Sequence, residues 1–521
     1  MASSKRFVAI YHAYVACRRY KRATREAQRY EQRLLDNLVD TAQAMDARSW
    51  RPHRSAYFVT LRPKAREIHA ACFSDRVVHH YLVPRLEIIY ERLFIHDSYS
   101  NRRGKGIHAA VERLQGFARQ ATRNGKRPAY YLQLDIANFF NRVDRRRLYI
   151  MIRDRLRHGM RFGELTFDDA YELLWLTGAV LADEPGRTSQ YVGDPTRRDR
   201  VPPHKRLSEA PSGHGLPIGN LPSQFFANVY LNELDQFIKH SLRCRHYLRY
   251  VDDFVLLHED PQQLAIWREQ IVAFLAERLG LALRDEGRLR PIGDGIDFLG
   301  YIVRSGYRLV RRRVATHLDE RLHAFEKRLF CRDRRGVGAT ILRVVREELQ
   351  SSLTSYLGHY HHASSWRLAQ RAFARHPWLT DLFQLQDDLH LQPIWQPPSV
   401  NSLRGQWRWF SRHGSNQLVL IQVGNRIELY DADAEKLHQC FGLPLQAVSR
   451  PGFKATLSLP MVRLRDLRVR LRRQRLAHRF VAEEGWLPGG MKRRVLRLFW
   501  TPHSLPLPAG GGWGEGDQKN D

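Results

Sequence analysis

Two periodicities organise the chain. From about residue 5 to 48, Leu34, Leu35 and Leu38 recur at helical spacing among Arg, Glu and Ala, which predicts one or two amphipathic helices with a charged outer face. Phe58-Val59-Thr60-Leu61 reads as a strand running into the basic turn Arg62-Pro63-Lys64-Ala65-Arg66, and a helical stretch covers about Asp75 to Tyr90. Tyr131-Leu132-Gln133-Leu134 predicts a strand ending on Asp135. His246 to His258 holds two short apolar runs around Asp252-Asp253, a hairpin with carboxylates at its turn. Residues 262–280 read as a helix, Phe298 to Val303 as a strand paired with the residues just after it, and about 314–375 as helical, with Leu318, Leu322, Phe325 and Leu329 on one face.

Between these elements lie segments of another character. Residues 184–212 are polar and rich in Pro, Gly and Arg, which predicts an exposed inserted loop, and Gln392 to Pro398 reads as a linker. Further on, a strand from Leu418 to Tyr430, a helix from Ala432 to Cys440 and an arginine-bearing helix between Met461 and Arg475 are predicted. From about Leu505 the sequence reads as a disordered tail. No internal repeat is found.

Charge narrows the function. The 521 residues carry 85 Lys and Arg against 54 Asp and Glu, a formal net charge of +31, with 11% aromatic residues. A folded chain so basic repels itself unless a polyanion neutralises it, and nucleic acid is the commonest one. The five scattered cysteines form no C-x-x-C pair, which argues against a disulfide framework or zinc knuckle and fits a reducing cytoplasm. The apolar run from Phe7 to Cys17 carries Tyr11, His12 and Tyr14 and no small-residue cleavage site, so it does not read as a signal peptide, and no stretch of about 20 apolar residues predicts a membrane span.

The candidate chemistry sits in the acids. Adjacent aspartates at a turn repel unless water screens them or a cation lies between them, and turns commonly hold solvated Asp. Here a third acid, Asp135, ends a separate apolar strand. An oxygen-rich set suits magnesium, and two such ions can clamp an attacking 3′-hydroxyl and a leaving pyrophosphate, the requirement of nucleotidyl transfer.

Three motifs in order, Asp135-Ile136-Ala137-Asn138-Phe139-Phe140, Gly215-Leu216-Pro217-Ile218-Gly219-Asn220-Leu221-Pro222-Ser223-Gln224 and Tyr250-Val251-Asp252-Asp253, resemble the reverse transcriptase family over about residues 25–375. The resemblance implies an α+β right-hand polymerase with this division: an N-terminal helical segment 1–48, fingers and the start of the palm 49–134, palm 135–312, helical thumb 313–385, linker 386–400, a small α/β domain 401–504 and the tail 505–521. It implies that Asp135 and Asp252 hold two magnesium ions with the Ile136 carbonyl, and that Asp253 is the third carboxylate. Phe140 matches a steric gate against a ribose 2′-hydroxyl. Lys64 and Arg66, with Arg76, Arg102 and Lys105 as further candidates, match the triphosphate and template region. The resemblance also implies that Ile218, Gly219, Gln224 and Tyr250 line the nucleotide, and Phe298 and Gly300 of Phe298-Leu299-Gly300-Tyr301 match the primer grip. The family's lysine after the catalytic hairpin is absent from Leu283-Arg284-Asp285-Glu286-Gly287-Arg288, and an arginine is a poor acid. His359, His361 and His362 lack the i, i+4 spacing of a zinc helix.

Most of the family has Gln before the loop glycine and Ser-Pro after it. Ile218-Gly219-Asn220-Leu221-Pro222-Ser223-Gln224 instead resembles enzymes of diversity-generating retroelements, which implies error-prone copying of a template RNA into cDNA at template adenines. Ile218 replaces a hydrogen-bonding amide with apolar contact, removing one source of geometric selection. The partners so implied are template RNA, primer and cDNA, dNTPs and a basic accessory protein, in a cytoplasmic protein of bacterial or phage origin. The alternatives are a CRISPR-linked or antiviral reverse transcriptase and a catalytically silent RNA-binding protein.

The C-terminal stretch resembles the mismatch-recognition domain of the mismatch-repair protein MutS, in which an apolar strand runs into Gly-x-Phe-Tyr-Glu. Glu428 matches, whereas Arg426 stands at the Phe position. With these two, Arg463, Arg470 and Arg473 of the arginine run are the nucleic-acid-binding candidates; Asp466 is almost the only acid nearby.

Overall fold

His246–Tyr250 and Asp253–His258 pair antiparallel around Val251-Asp252, and Tyr130–Asp135 pairs antiparallel with the second of them, so that Asp135 lies opposite Asp253. Arg288–Pro291 completes a four-stranded sheet beside Tyr130–Asp135. Phe254, Val255, Leu256 and Leu257 are all buried, the pattern of a central strand covered on both faces. The helix Leu221–Gln236, opened by Pro222 in its first turn, adds Phe225, Phe226, Val229, Tyr230, Leu231 and Leu234 to the same core. Each such side chain contributes about 1.5–3 kcal/mol relative to exposure.

The computed structural model describes residues 2–61, 64–333, 336–397, 400, 402–414, 416–448 and 450–502; the tail expected from about Leu505 lies outside the described residues. The chain divides into two compact units, Met1–Leu299 with Val303–Gly306, and Gly300–Ile302 with the residues from Tyr307 on. In the first, the N-terminal segment folds as three helices, Ala2–Arg18, Arg25–Gln32 and Leu34–Asp46, whose Ile10, Tyr14, Leu38 and Met45 join the palm core. The inserted loop is exposed for most of its length but anchored. Val201 and Leu207 are buried, Leu207 N–H donates to Glu67 Oε2 at 2.8 Å, and Gln190–Tyr191 adds a short parallel strand to Ala56–Thr60.

The second unit departs from the expected division. The helical run breaks between Arg312–Leu329 and Arg343–His361 for a hairpin, Phe330–Asp333 with Gly336–Thr340. Gly336-Val337-Gly338 disfavours helix, and Gly336–Thr340 finds backbone partners on Lys492–Thr501. The hairpin thereby becomes one edge of a seven-stranded sheet that continues through Lys492–Thr501, His478–Trp486, Leu418–Val423, Arg426–Tyr430 and Thr456–Pro460. Thumb and C-terminal region are therefore one body: Leu318, Leu322, Leu349 and Leu353 share a core with Phe410, Val419, Ile421 and Val481. The expected linker is packed into it. Phe383–Leu385 and Leu391–Pro393 form a hairpin, Ile394 and Trp395 are buried, and the Arg346 guanidinium lies 3.9 Å over the Trp395 ring. The apolar pair among the prolines is what the linker reading overlooked. The single strand expected from Leu418 to Tyr430 folds back at Gly424-Asn425, with Gly424 at a φ of 56°, a turn conformation glycine adopts without steric cost.

Candidate active site

The Val251-Asp252 turn is held in a costly conformation. Val251, β-branched, sits at a φ of 56°, where such residues are rare, and the surroundings must over-determine it. Arg249 does so. Fully buried on its strand, it donates to the Val251 carbonyl at 3.0 Å and to Asp235 on the neighbouring helix at 2.8 and 2.6 Å. The same guanidinium reaches Ser98 Oγ, and Tyr247 O–H donates to Asp235 at 2.6 Å. Sequence reasoning missed this brace; its signal was an arginine inside an otherwise apolar strand, Tyr247-Leu248-Arg249.

Asp135, Asp252 and Asp253 lie close enough to act on one another's charge. Asp135 and Asp253 are register partners, whose Cβ atoms lie about 4.5–5.5 Å apart in such a pair. Ile136 N–H donates to the Asp252 carbonyl at 3.2 Å, tying the turn to the strand end. Burial first, then the charge of Asp135, pushes Asp252 up to about 6. Burial also pushes Asp253 up to about 7, with Asp135 and Asp252 adding to it against a hydrogen bond from Gln133 Nε2 at 3.1 Å. Asp135 is raised by burial, opposed by Arg284 and Lys64. Clustered acids that resist ionisation in the bare protein are a donor set matched to a hard divalent cation. Asp135, Asp252, Asp253 and the Ile136 carbonyl would hold magnesium.

Arg284 takes the other role in the site. Its guanidinium pairs with Asp135 Oδ2 at 2.7 Å, and its N–H donates to the Asp135 carbonyl at 2.9 Å, so it stands at the end of the strand that carries Asp135. Lys64 lies close enough to lower Asp135 and Arg66 close enough to lower Asp252, which places both beside the acids. Arg76 is turned elsewhere, to the Ala71 carbonyl and Glu26; Arg102 grips Glu91 and the Ile95 and Ser98 carbonyls; Lys105 donates to the His96 carbonyl and stacks on Tyr99. These three brace the fold.

The residues expected on the nucleotide side, Phe140 and Ile218 with Gly219, belong to two segments linked by backbone hydrogen bonds to their neighbours. Phe140, half-buried, follows left-handed Asn138, and its carbonyl accepts from Leu216 N–H at 2.7 Å. The Ile218 carbonyl accepts from His69 N–H at 2.7 Å, and a Cβ on Gly219 would lie 2.7 Å from the His69 carbonyl, so only glycine permits the loop to approach that strand. Asn220 Oδ1 accepts from Ala71 N–H at 3.1 Å. Gln224 and Tyr250 are half-buried nearby in sequence and sheet.

Two expected nucleic-acid contacts are corrected. Phe298 is fully buried, so its side chain is core; Gly300, at a φ of 92°, is the turn, with His359 3.3 Å from where its Cβ would stand. Glu428 is buried and paired with Arg450 at 2.5 Å while accepting from Tyr430 O–H at 2.6 Å, so it faces no ligand. An acid in the middle of an apolar strand needs such a partner. Arg426 is exposed and donates to Ser458. Leu464–Arg473 buries Leu467 and Leu471, leaving Arg463, Arg465, Arg470 and Arg473 exposed.

Residues 61–303 match the family model "Reverse transcriptase (RNA-dependent DNA polymerase)". Protein YkfC of Escherichia coli is 25% identical over 296 residues, covering 50% of this chain and 68% of that protein. Among solved structures, telomerase from Candida albicans with a fragment of telomeric RNA aligns with a TM-score of 0.36 at 11% identity over 63% of this chain and 57% of its own. A truncated apo telomerase from Candida tropicalis gives 0.36 at 11% identity over 53% and 60%. The chain spans less than two thirds of the length of these telomerases. No helix among the described residues is long and apolar enough to cross a membrane. Residues 61–303, just under half of the chain, are thus similar to the reverse transcriptase (RNA-dependent DNA polymerase) domain.

Proposed function

We propose that the protein copies a template RNA into cDNA with dNTPs and magnesium, in the cytoplasm, as the error-prone polymerase of a diversity-generating retroelement. The observation that carries the polymerase reading is the register that sets Asp135 against Asp253 beside the braced Val251-Asp252 turn. Two bound magnesium ions would supply charge neutralisation at the 3′-hydroxyl and the departing pyrophosphate. Lys64, Arg66 and Arg284, whose charges act on the acids, support that reading as cations suited to a triphosphate. Phe140 is the candidate gate against a ribose 2′-hydroxyl.

The retroelement reading rests on Ile218-Gly219-Asn220, whose loop is clamped to the Arg66–Ala70 strand through its backbone and leaves the Ile218 side chain only apolar contact to offer. In the second unit the exposed arginines of Leu464–Arg473, with Arg426, form a basic surface for nucleic-acid backbone, which would supply in cis the grip of a basic accessory protein. Mismatch reading of the MutS kind has no support here, since Arg426 replaces the aromatic wedge and Glu428 is buried.

Primer extension on an RNA template tests the first claim. Wild type incorporates dNTPs with magnesium, and Asp252→Ala loses at least about 10³-fold of that rate, the equivalent of about 4 kcal/mol; equal rates would overturn it. Sequencing the cDNA tests the second: errors concentrate at template adenines and Ile218→Gln reduces them several-fold, whereas an even spectrum, unchanged by the substitution, would refute the subtype.

A further inference from the structure

A cluster in the second unit, outside every site described so far, has the composition of a transition-metal centre. Asp319 and His323 stand one turn apart on the helix Arg312–Leu329, and Glu326 follows on the next turn. His376 arrives between the helix Trp366–Arg375 and the turn Pro377–Asp381. Ligand atoms of Asp319, His323 and His376 all lie within 4.8 Å of one another. Another group, His53, Cys72 and Asp75, is as close, but its His53 ring and backbone N–H pair with Asp75 at 2.7 and 2.8 Å, and none of its three side chains holds a buried polar atom without a hydrogen-bond partner.

The protons of the thumb cluster are what point to a metal. His323 Nδ1 lies 2.9 Å from the Asp319 carbonyl, an acceptor only, so Nδ1 carries the hydrogen and Nε2 keeps its lone pair. His376 is 1% exposed, with Nε2 3.1 Å from Asp319 Oδ1. Its Nδ1 is buried without a hydrogen-bond partner, 3.7 Å from the Glu326 carboxylate. A buried polar atom left unsatisfied is costly to the fold. If Nε2 binds a metal, the ring hydrogen moves to Nδ1 and faces Glu326, the carboxylate–histidine–metal arrangement that orients ligating imidazoles. The orphaned atom then has a purpose.

We propose that Asp319, His323 and His376 bind one divalent first-row transition metal, with Glu326 orienting His376 and at least one position left for water. Two imidazoles and a carboxylate favour zinc-like ions over magnesium. His323 is half exposed, which gives the ion a path in, and the exposed Arg375 guanidinium, 3.8 Å from Asp319, is the counter-ion it would displace. The bound ion would clip the Arg312–Leu329 helix to the turn after Trp366–Arg375, two elements far apart in sequence.

Zinc is the probe, added to the full chain in excess magnesium so that the palm acids are occupied. Equilibrium dialysis with elemental analysis should give one zinc per wild-type chain, and zinc should raise its Tm. Asp252→Ala should keep the zinc. His323→Ala should bind about 100-fold more weakly and lose the Tm increase, while Glu326→Gln should bind about 10–100-fold more weakly. Because His376 is buried, its replacement risks unfolding, and the exposed His323 is the decisive variant. Cobalt in place of zinc should give a visible absorption band in wild type that His323→Ala lacks. Equal zinc binding by wild type and His323→Ala, or none by either, overturns the site.

Discussion

The palm hairpin carries two groups of buried charge that the fold treats in opposite ways. Below the turn, Asp235 and Arg249 are both fully buried, paired at 2.6 Å and hydrogen-bonded all round. At the turn, Asp135, Asp252 and Asp253 gather like charges; Arg284 pairs directly with the first of them, and Lys64 and Arg66 act on the acids without a direct ion pair among the described contacts. The lower group is satisfied by the protein alone and holds a strained backbone in place. The upper group is left short of positive charge, and that deficit is what a polymerase site offers to a divalent cation and a triphosphate. A scaffold of satisfied charge supports a site of unsatisfied charge a few residues away.

Breaking the scaffold should have the largest effect on stability. Asp235→Ala leaves a buried guanidinium without its partner and should destabilise the domain by about 3–5 kcal/mol, read as a lowered midpoint in urea. Relieving the site should do the reverse. Asp253→Asn removes one like charge and should stabilise the magnesium-free protein by on the order of 2 kcal/mol above neutral pH while abolishing incorporation. The sign follows from the raised value: a carboxyl held near 7 when folded and near 4 when unfolded costs stability only where it must ionise. The variant's Tm advantage should therefore be absent below pH 4, grow between about 4 and 7, and level off above. An advantage that shrinks over that window would contradict the account. The smallest effect concerns Arg284. An arginine stays protonated throughout, so Arg284→Lys should keep most activity and add a fall in rate on the basic side that wild type lacks, visible in a pH profile of single-nucleotide incorporation.

Much of the palm was legible because its signals are local. Tyr131-Leu132-Gln133-Leu134-Asp135 and the apolar runs around Asp252-Asp253 alternate or cluster as strands do, and a turn with two acids between them announces a hairpin. The second unit was less legible. The hairpin of Phe330–Asp333 and Gly336–Thr340 was hidden in a run with helical period, because its partners lie some 160 positions later, on Lys492–Thr501. Glu428 matches a ligand position in sequence, but Arg450, supplied from a loop, neutralises it.

Composition and pattern alone determined that the chain is basic, that it folds, and that three acids in two segments end or join apolar strands. Only the tertiary structure decided that Asp135 faces Asp253 across a register, that Arg249 holds Val251 in its strained turn, and that thumb and C-terminal strands share one sheet. The reason is physical: propensity and periodicity act between near neighbours, whereas register, charge pairing and burial depend on which distant segments come to lie side by side.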